Sequence, residues 1–307
     1  MEKLTPATTL SDINQIPDAL MAQILNMVVE YKRQHEGLTH VVKASGKIVD
    51  DPTIRRRFAE QVVSMRRDLG LKVVVVHGAG KQITRAIKDE TGEDSEFEND
   101  LRITRSHHVE IVDRVTRQTN RVLCDMFGDA SAGHVLPIGL SGYDPELDMV
   151  SEPIDADKNN FSGNSVLSFN PWRLMRHLND EKSIPIITNM CGVARPIGNV
   201  SKINVNADPV ASKIAMSLKA HRLLMCGREA GVLDENGHVI PELRESDVQG
   251  LLDRKVIDKG MAVKVRSAFD TARNMGAGGG VVIMDENFLM ELLTKKGHGT
   301  MCRIATP

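Results

Sequence analysis

The chain has 307 residues, enough for one large α/β domain or two lobes, because a single hydrophobic core stops growing at roughly 250–300 residues. Its 39 basic and 41 acidic residues leave a net charge of -2, which gives no field to recruit nucleic acid or an anionic membrane and favours small-molecule partners. Short apolar runs, four scattered cysteines without a CxxC pair and no secretory pattern argue against a membrane span, a zinc site and a disulfide frame, so we expect a cytoplasmic protein.

The first half of the chain begins with a helix and then a βαβ series. Apolar residues recur at helical spacing from Leu20 to Tyr31, and Gly37 ends the pattern. A short strand at Thr39–Val42, a helix at Thr53–Leu69 and a valine-rich strand at Lys72–Val76 follow. A run of valines is typical of the buried strands of a parallel sheet.

The rest of the chain continues the alternation of strands and helices. Further strands are predicted at 135–140, 184–188, 222–226, 280–284 and 301–304, and helices near 107–127, 209–219, 261–275 and 286–295. This order predicts an α/β fold with an open, mainly parallel sheet between two layers of helices. The segment Ser141–Asn170 is rich in Gly, Pro, Asp and Asn, and is interpreted as rim loops or short hairpins that could form a substrate lid.

Two loops leave the ends of predicted strands and enter helices. They are Lys43-Ala44-Ser45-Gly46 and His77-Gly78-Ala79-Gly80-Lys81. At the carboxyl ends of parallel strands, glycines let backbone N–H groups and helix N-termini approach a phosphate, although each loop could also be a simple tight turn. Val75 breaks a GxxxxGK[ST] pattern and Ile83 breaks GxGxxG, so a Walker ATPase and an NAD(P)-dependent oxidoreductase are both disfavoured.

These loops belong to an ordered series of motifs that resembles one family. Lys43-Ala44-Ser45-Gly46 is similar to its KxGG strand end, and His77-Gly78-Ala79-Gly80 is similar to its HGGG loop. The later matching segments are Leu101-Arg102-Ile103-Thr104, Val109-Glu110-Ile111-Val112, Asn204-Val205-Asn206-Ala207-Asp208, Gly231-Val232-Leu233-Asp234, Gly260-Met261-Ala262-Val263-Lys264-Val265 and Gly297-His298-Gly299-Thr300-Met301. From about Val41 to Ile304 the chain resembles the amino acid kinase family, and within it the acetylglutamate kinases.

The resemblance implies an architecture and an assembly. Residues 38–307 would form one amino acid kinase domain with the three-layer, carbamate-kinase-like fold. About 38–200 would be the lobe for the acylated amino acid, and about 201–307 the lobe for the nucleotide. Residues 1–37 resemble the N-terminal helix of arginine-sensitive, hexameric members, which implies a homodimer or a hexamer built as a trimer of dimers.

The resemblance also implies an activity of the arginine-biosynthesis type, with ATP phosphorylating the side-chain carboxylate of N-acetylglutamate. Two lysines would flank the transferred phosphoryl group and an aspartate would hold them; these are Lys43, Lys264 and Asp208. Substrate-binding residues would be Gly78, Ala79, Arg102 and Asn204. Nucleotide-binding residues would be Lys43, Ser45, Gly46, Gly227, Arg228, Gly231, Met261 and Lys264. Mg²⁺ would arrive on the nucleotide, and we name no protein ligand for a metal.

Simpler roles compete for several of these residues. Asp208 precedes a proline and a helical run, so it is also placed to cap a helix. Lys264 could be an ordinary solvated lysine, and Lys43 a strand-end lysine with its head in water, although their joint placement in matching motifs favours catalysis. His107 and His108 are adjacent on a predicted helix and so point in different directions, which argues against a metal pair.

Departures from the family pattern keep other functions open. Ser45 and Ala79 add side chains where the family has glycine, and Gly227-Arg228 replaces a Ser/Thr-Asp pair beside the nucleotide, so an acidic patch becomes basic. The segment Ser141–Asn170 does not clearly copy the family's substrate hairpin. The alternatives are a kinase for a different acyl-amino acid and a non-catalytic, arginine-sensing regulatory protein on the same fold.

Overall fold

The architecture is built on an eight-stranded sheet. A computed structural model describes residues 15–99, 101–227, 229–276, 278–293 and 298–304. In spatial order the strands are β12 (Glu242–Leu243), β14 (Thr300–Cys302), β13 (Gly280–Met284), β11 (Arg222–Cys226), β1 (Thr39–Ala44), β2 (Lys72–His77), β8 (Ser183–Thr188) and β5 (Leu136–Leu140). Neighbouring strands of this sheet are parallel except for β13 and β14, which are antiparallel. The predicted mainly parallel sheet is confirmed.

Helices cover both faces of this sheet. They are α1 (Asp18–His35), α2 (Gly46–Asp50), α3 (Pro52–Arg67), α4 (Gly80–Thr91), α5 (Val109–Ala130), α6 (Pro171–Asn179), α7 (Ala207–Ser217), α8 (Asp247–Asp253), α9 (Lys259–Met275) and α10 (Phe288–Leu293). On β2, Val74 and Val76 pack into one core with residues of α4 and α7, whereas Val73 and Val75 pack into the other with residues of α3. Because side chains alternate along a strand, one valine run supplies both cores and the predicted three layers form.

A smaller, four-stranded sheet lies beside the main one. Its strands, in order, are β6 (Val150–Ser151), β9 (Met190–Ile197), β10 (Val200–Val205) and β7 (Ser162–Gly163). Residues Ser141–Asn170 therefore contain two short strands that pair in parallel with β9 and β10, in place of the hairpins expected there. An antiparallel hairpin of β3 (Glu96–Glu98) and β4 (Leu101–Ile103) follows α4.

Helix α1 ends against a cluster of three imidazoles. His35 contacts His40 on β1 and His221 just before β11, with ring centroids 5.4 and 5.1 Å apart. Burial lowers the pKa of His35 and of His221 to about 4, with the Arg222 charge adding to the effect in both cases. The cluster is therefore neutral at physiological pH and packs as an aromatic contact.

Helix α1 has three exposed apolar side chains. Leu20, Leu25 and Val29 are each about half exposed. The assignment of residues 1–37 to oligomerisation, and the division of 38–307 into two lobes, both stay predictions. No helix in the described ranges has the length and apolarity of a membrane span.

Candidate active site

Lys43 lies in the middle of the main sheet. Its strand, β1, is flanked by β2 and β11, and Lys43 is in register with Val76 and Met225. The Lys43 Nζ is 2.6 Å from Asp208 Oδ1, and only 14% of the lysine side chain is exposed. The ammonium group is thus a mostly covered cation held by one carboxylate, so the simpler reading of a strand-end lysine with its head in water is wrong.

Asp208 lies in the first turn of α7 and does not cap that helix. Asn206 is the cap, because its side chain accepts a 3.1 Å hydrogen bond from the Asp208 backbone N–H. Burial alone would raise the pKa of Asp208, but Lys43 and, more weakly, Lys264 outweigh burial and lower the pKa below its usual value. The carboxylate is therefore ionised at neutral pH and is available to hold the two cations.

Lys264 approaches the same carboxylate from α9. The helix begins after Asp258, whose side chain accepts a 2.6 Å hydrogen bond from the Met261 N–H, and Lys264 follows one turn later. Burial, and then repulsion by Lys43, lower the pKa of Lys264, while Asp208 opposes the shift. A Cβ built on Gly227 would lie 3.6 Å from the Lys264 Nζ, so the backbone after β11 passes close to the ammonium group.

A cleft of about 240 Å³ opens beside Lys43. Three helices begin at its wall, α2 after Ser45, α4 after Ala79 and α7 after Asn206. Their N-terminal N–H groups and dipoles favour an anion in the cleft. The cleft lining contains seven predicted site residues, Lys43, Ser45, Gly46, Gly78, Ala79, Arg102 and Asn204.

The backbone tolerates both departures from the family's glycines. Ser45 and Ala79 have φ angles of -77° and -139°, so neither position needs the left-handed conformation that favours glycine. Ala79 is 1% exposed and its methyl group packs into the core, although the residue also lines the cleft. The Ser45 hydroxyl is buried at the cleft wall without a hydrogen-bond partner among the described residues.

Arg102 reaches the cleft from β4. Its guanidinium donates to the Gly80 carbonyl and to the Thr84 hydroxyl, both at 2.7 Å, and also to the Ser95 hydroxyl. The guanidinium lies 4.8 Å from the centre of the Phe97 ring, and burial lowers its pKa to about 10, so it stays protonated at neutral pH. Because a guanidinium has five N–H donors, two have no partner among the described residues and are available to a ligand.

A pair of asparagines forms the floor of the cleft. Asn204 donates to the Thr104 hydroxyl at 3.1 Å and accepts from Asn189 at 3.0 Å. Asn189 was not among the predicted site residues. Its side chain also donates to the Val205 carbonyl, and its own oxygen is buried without a partner among the described residues. The position of Asn189 directly after β8, at the carboxyl edge of the sheet, is the signal that could have found it.

A second cavity of about 340 Å³ borders Lys264. Its lining includes Gly231 and Met261, two of the predicted nucleotide-binding residues, together with the apolar Leu233 and Ile257. A Cβ on Gly231 would lie 2.7 Å from Val239, so only glycine fits there. The predicted residue Arg228 falls outside the described residues.

The chain matches known proteins over most of its length. The family model described as "Amino acid kinase family" matches residues 39–285. The chain belongs to the amino acid kinase family. It is 32% identical to the acetylglutamate kinase of Paracidovorax citrulli over 96% of this chain and 99% of that protein. It is 30% identical to the acetylglutamate kinase of Burkholderia mallei over 95% of this chain and 98% of that protein.

Solved structures of other proteins share the fold. The N-acetylglutamate synthase of Neisseria gonorrhoeae, solved with coenzyme A and L-arginine, superposes with a TM-score of 0.73 at 20% identity, over 92% of this chain and 65% of that longer chain. The carbamate kinase of Giardia lamblia, solved with AMP-PNP, superposes with a TM-score of 0.60 at 14% identity, over 88% of this chain and 99% of that chain. At such identities the likeness establishes the fold alone.

Proposed function

We propose that this chain is an ATP-dependent kinase of the arginine-biosynthesis type, which phosphorylates the side-chain carboxylate of an N-acylated acidic amino acid. N-acetylglutamate is the substrate that we favour. The observation that carries the proposal is the cluster of Lys43, Asp208 and Lys264, in which Lys43 lines the cleft and Lys264 lines the second cavity. Two substrates bound in the two cavities would have their reacting ends between the two ammonium groups.

The chemistry fits these groups. One oxygen of the acceptor carboxylate attacks the γ-phosphorus, the bond from phosphorus to the β–γ bridging oxygen breaks, and ADP leaves with that electron pair. The product is an acyl phosphate. The acceptor has an ordinary pKa of about 4.3 and is ionised at neutral pH, so the step needs no base. Charge spreads over the equatorial phosphoryl oxygens in the transition state, and Lys43 and Lys264 would stabilise it there.

Asp208 would act as a positioning residue. Two ammonium groups close together repel each other, and a carboxylate between them lets both stay charged. Asp208 would thereby hold the Lys43 ammonium group in its mostly covered position. We therefore assign Asp208 to the orientation of the lysines and not to proton transfer.

The cleft supplies contacts for the acylated amino acid. The two remaining N–H donors of Arg102 would bind its α-carboxylate, and the unpaired oxygen of Asn189 would accept the N–H of its acyl amide. Gly78 and the N-terminus of α4 would face the reacting carboxylate. The Ser45 hydroxyl would donate to a phosphoryl oxygen.

Mg²⁺ would enter on the nucleotide. The described lining of the cleft contains no carboxylate, and of the two in the second cavity, Glu229 and Asp258, the latter caps α9. This donor set suits an ion that is held mainly by phosphates and water. Bound there, Mg²⁺ would neutralise charge on the β- and γ-phosphates.

The direct test is an acyl-phosphate assay. Purified protein is incubated with MgATP, hydroxylamine and a panel of acylated acidic amino acids, and acyl hydroxamate and ADP are measured. We expect product with N-acetylglutamate, and strong loss in Lys43→Ala and Lys264→Ala but not in Lys182→Ala, an exposed lysine outside both cavities. Product with another acyl-amino acid would change the substrate, whereas no product above the two lysine variants would refute the kinase. In that case thermal shifts with arginine would test the regulatory alternative.

We also propose that the protein is a cytoplasmic homo-oligomer. The exposed apolar side chains Leu20, Leu25 and Val29 on α1 support assembly through that helix. Light scattering of the wild-type chain and of a Leu20→Ser/Leu25→Ser variant tests this part. An unchanged mass would exclude α1 as the contact.

A further inference from the structure

Glu93, His107 and His108 form a compact cluster outside both cavities. The Glu93 Oε2 lies 3.1 Å from the His107 Nε2 and 2.9 Å from the His108 Nε2. The two rings have centroids 4.1 Å apart, and one ligand atom from each of the three residues lies within 4.8 Å of the others. The expectation that the adjacent histidines diverge is therefore wrong, since both face the same carboxylate.

The ring nitrogens of His108 lack hydrogen-bond partners among the described residues. The residue is 3% exposed, yet neither ring nitrogen makes a hydrogen bond of acceptable geometry to a described residue, despite the short approach of Glu93. Leaving a buried polar group without a partner destabilises the folded protein, because the group has lost its hydrogen bonds to water. Such atoms are uncommon in native proteins and call for an additional partner, such as a bound ion. A cation between the three side chains would provide that partner.

We propose that Glu93, His107 and His108 bind one divalent transition-metal ion, with Zn²⁺ as the best match. Two imidazole nitrogens and one carboxylate oxygen are a common zinc donor set, which leaves a fourth position for water. Donor atoms around tetrahedral zinc lie roughly 3.3 Å apart, because each zinc–nitrogen bond is about 2.0–2.1 Å long. The observed separations of 2.9 and 3.1 Å are close to that spacing.

The place of the cluster in the fold gives the ion a structural task. Glu93 follows Gly92, which ends α4 in the left-handed conformation, and it precedes the β3–β4 hairpin. The two histidines stand at the start of α5. A shared ion would tie the base of the hairpin to α5. The same hairpin carries Phe97 and Arg102 into the cleft, so the ion would hold one wall of the cleft in place.

Zinc titration of the chelator-treated full chain, followed by calorimetry, tests the site. We expect one Zn²⁺ per chain, a higher Tm on binding, and visible d–d bands of a low-coordinate site when Co²⁺ is used. Glu93→Gln and His107→Ala should each weaken Zn²⁺ binding by at least about tenfold, since even outer partners of metal ligands have effects of that size. Both changes are at half-exposed side chains, so the fold should survive. The exposed His134→Ala is the matched control and should bind zinc like the wild type.

Equal zinc binding by the wild type and Glu93→Gln would overturn the site and leave a plain Glu–His ion pair. Hydrogen exchange of the amides from 93 to 103, measured with and without zinc, tests the structural task separately. Slower exchange on zinc addition supports the tie, and unchanged exchange overturns it. Neither measurement depends on catalysis, so the metal site and the kinase proposal can fail independently.

Discussion

The cleft beside Lys43 and the second cavity beside Lys264 differ in the chemistry of their linings. The cleft is lined by loop backbone, helix N-termini and polar side chains such as Arg102 and Asn189, together with apolar residues such as Phe97 and Ile83. The second cavity offers apolar surface from Leu233, Ile257 and Met261 around Gly231, where a side chain would crowd Val239 and Thr300. The cleft is suited to orienting a small anion by hydrogen bonds, and the second cavity is suited to packing against a flat apolar ring.

The two cavities therefore contribute differently to binding: the cleft orients and selects its ligand, and the second cavity adds affinity. Hydrogen bonds from fixed donors discriminate strongly between ligands, because a poor ligand leaves them unpaired, whereas apolar contacts contribute affinity with little directional demand. We therefore expect substitutions in the cleft to change the choice and use of the acceptor. Substitutions in the second cavity should change the affinity for nucleotide.

The largest expected effect comes from Lys43→Ala, because Lys43 is proposed to contact the phosphoryl group that passes between the ligands of the two cavities. Loss of a positioned cation should lower kcat by about 10²–10³-fold, in the range found when a single transition-state donor is removed. Initial rates of ADP release with saturating substrates measure it, and circular dichroism checks the fold. A variant with near-normal kcat would place the transferred phosphoryl group elsewhere.

Arg102→Gln should affect the acceptor alone. The change removes the charged donors that face the cleft while keeping a polar side chain, so the KM for the acyl-amino acid should rise by about 10–100-fold. The KM for ATP should stay within the error of the wild type. A rise in both constants would mean that Arg102 acts by holding the β3–β4 hairpin and not by binding substrate.

Met261→Ala should show the converse pattern. Removing several carbons of this partly buried side chain from the second cavity should raise the KM for ATP roughly three- to tenfold and leave the KM for the acyl-amino acid unchanged. Equilibrium binding of a fluorescent ATP analogue provides an independent measurement. If affinity for the acceptor falls instead, the assignment of the two cavities is reversed.

The pH dependence should report on Lys264. Burial and Lys43 lower its pKa, so the proton is lost at a lower pH than from a lysine with the ordinary value of 10.5. Activity needs the cationic form and should fall as pH rises through that lowered pKa. Lys264→Arg keeps the charge at all accessible pH and should move the alkaline limb of the kcat profile upward. An unmoved limb would assign the titration to another group.

Ala79→Gly should have the smallest effect. The backbone at Ala79 does not need glycine, and its methyl group is buried. Restoring the family's glycine should therefore lower the free energy of unfolding by about 1 kcal/mol, through lost burial and greater chain entropy. Urea unfolding measures this. A large gain in kcat would show that the extra methyl group does restrict the cleft.

The sequence predicted the buried strands best. The bounds of β11 and β13 agree with the predicted 222–226 and 280–284, because both strands are covered along almost their whole length and stand out as apolar runs. The hairpin β9–β10 was not predicted, since the second half of β9 is exposed and contains Pro196. A strand that pairs through its backbone and has exposed side chains leaves little hydrophobic pattern in the sequence, so it is hard to predict.

The candidate site was predicted by motif more than by geometry. Its residues do gather around Lys43 and Lys264, but the sequence also placed Asp208 as a helix cap, because Asp208 precedes a proline and a helical run. The extended backbone at Asn206 settles the choice and leaves Asp208 for the lysines. The meeting of His107 and His108 was also beyond prediction, because Glu93, the group that both face, comes from a separate segment.

Strand β1 pairs on one side with β2, which follows it closely, and on the other with β11, which comes much later in the chain. During synthesis, one edge of β1 stays open until residues 222–226 have been made. An exposed apolar edge of this kind recruits other strands, so we expect slow folding and aggregation-prone nascent chains. The pairing that holds Lys43 in the middle of the sheet thus makes the protein depend on its C-terminal half for solubility while it folds.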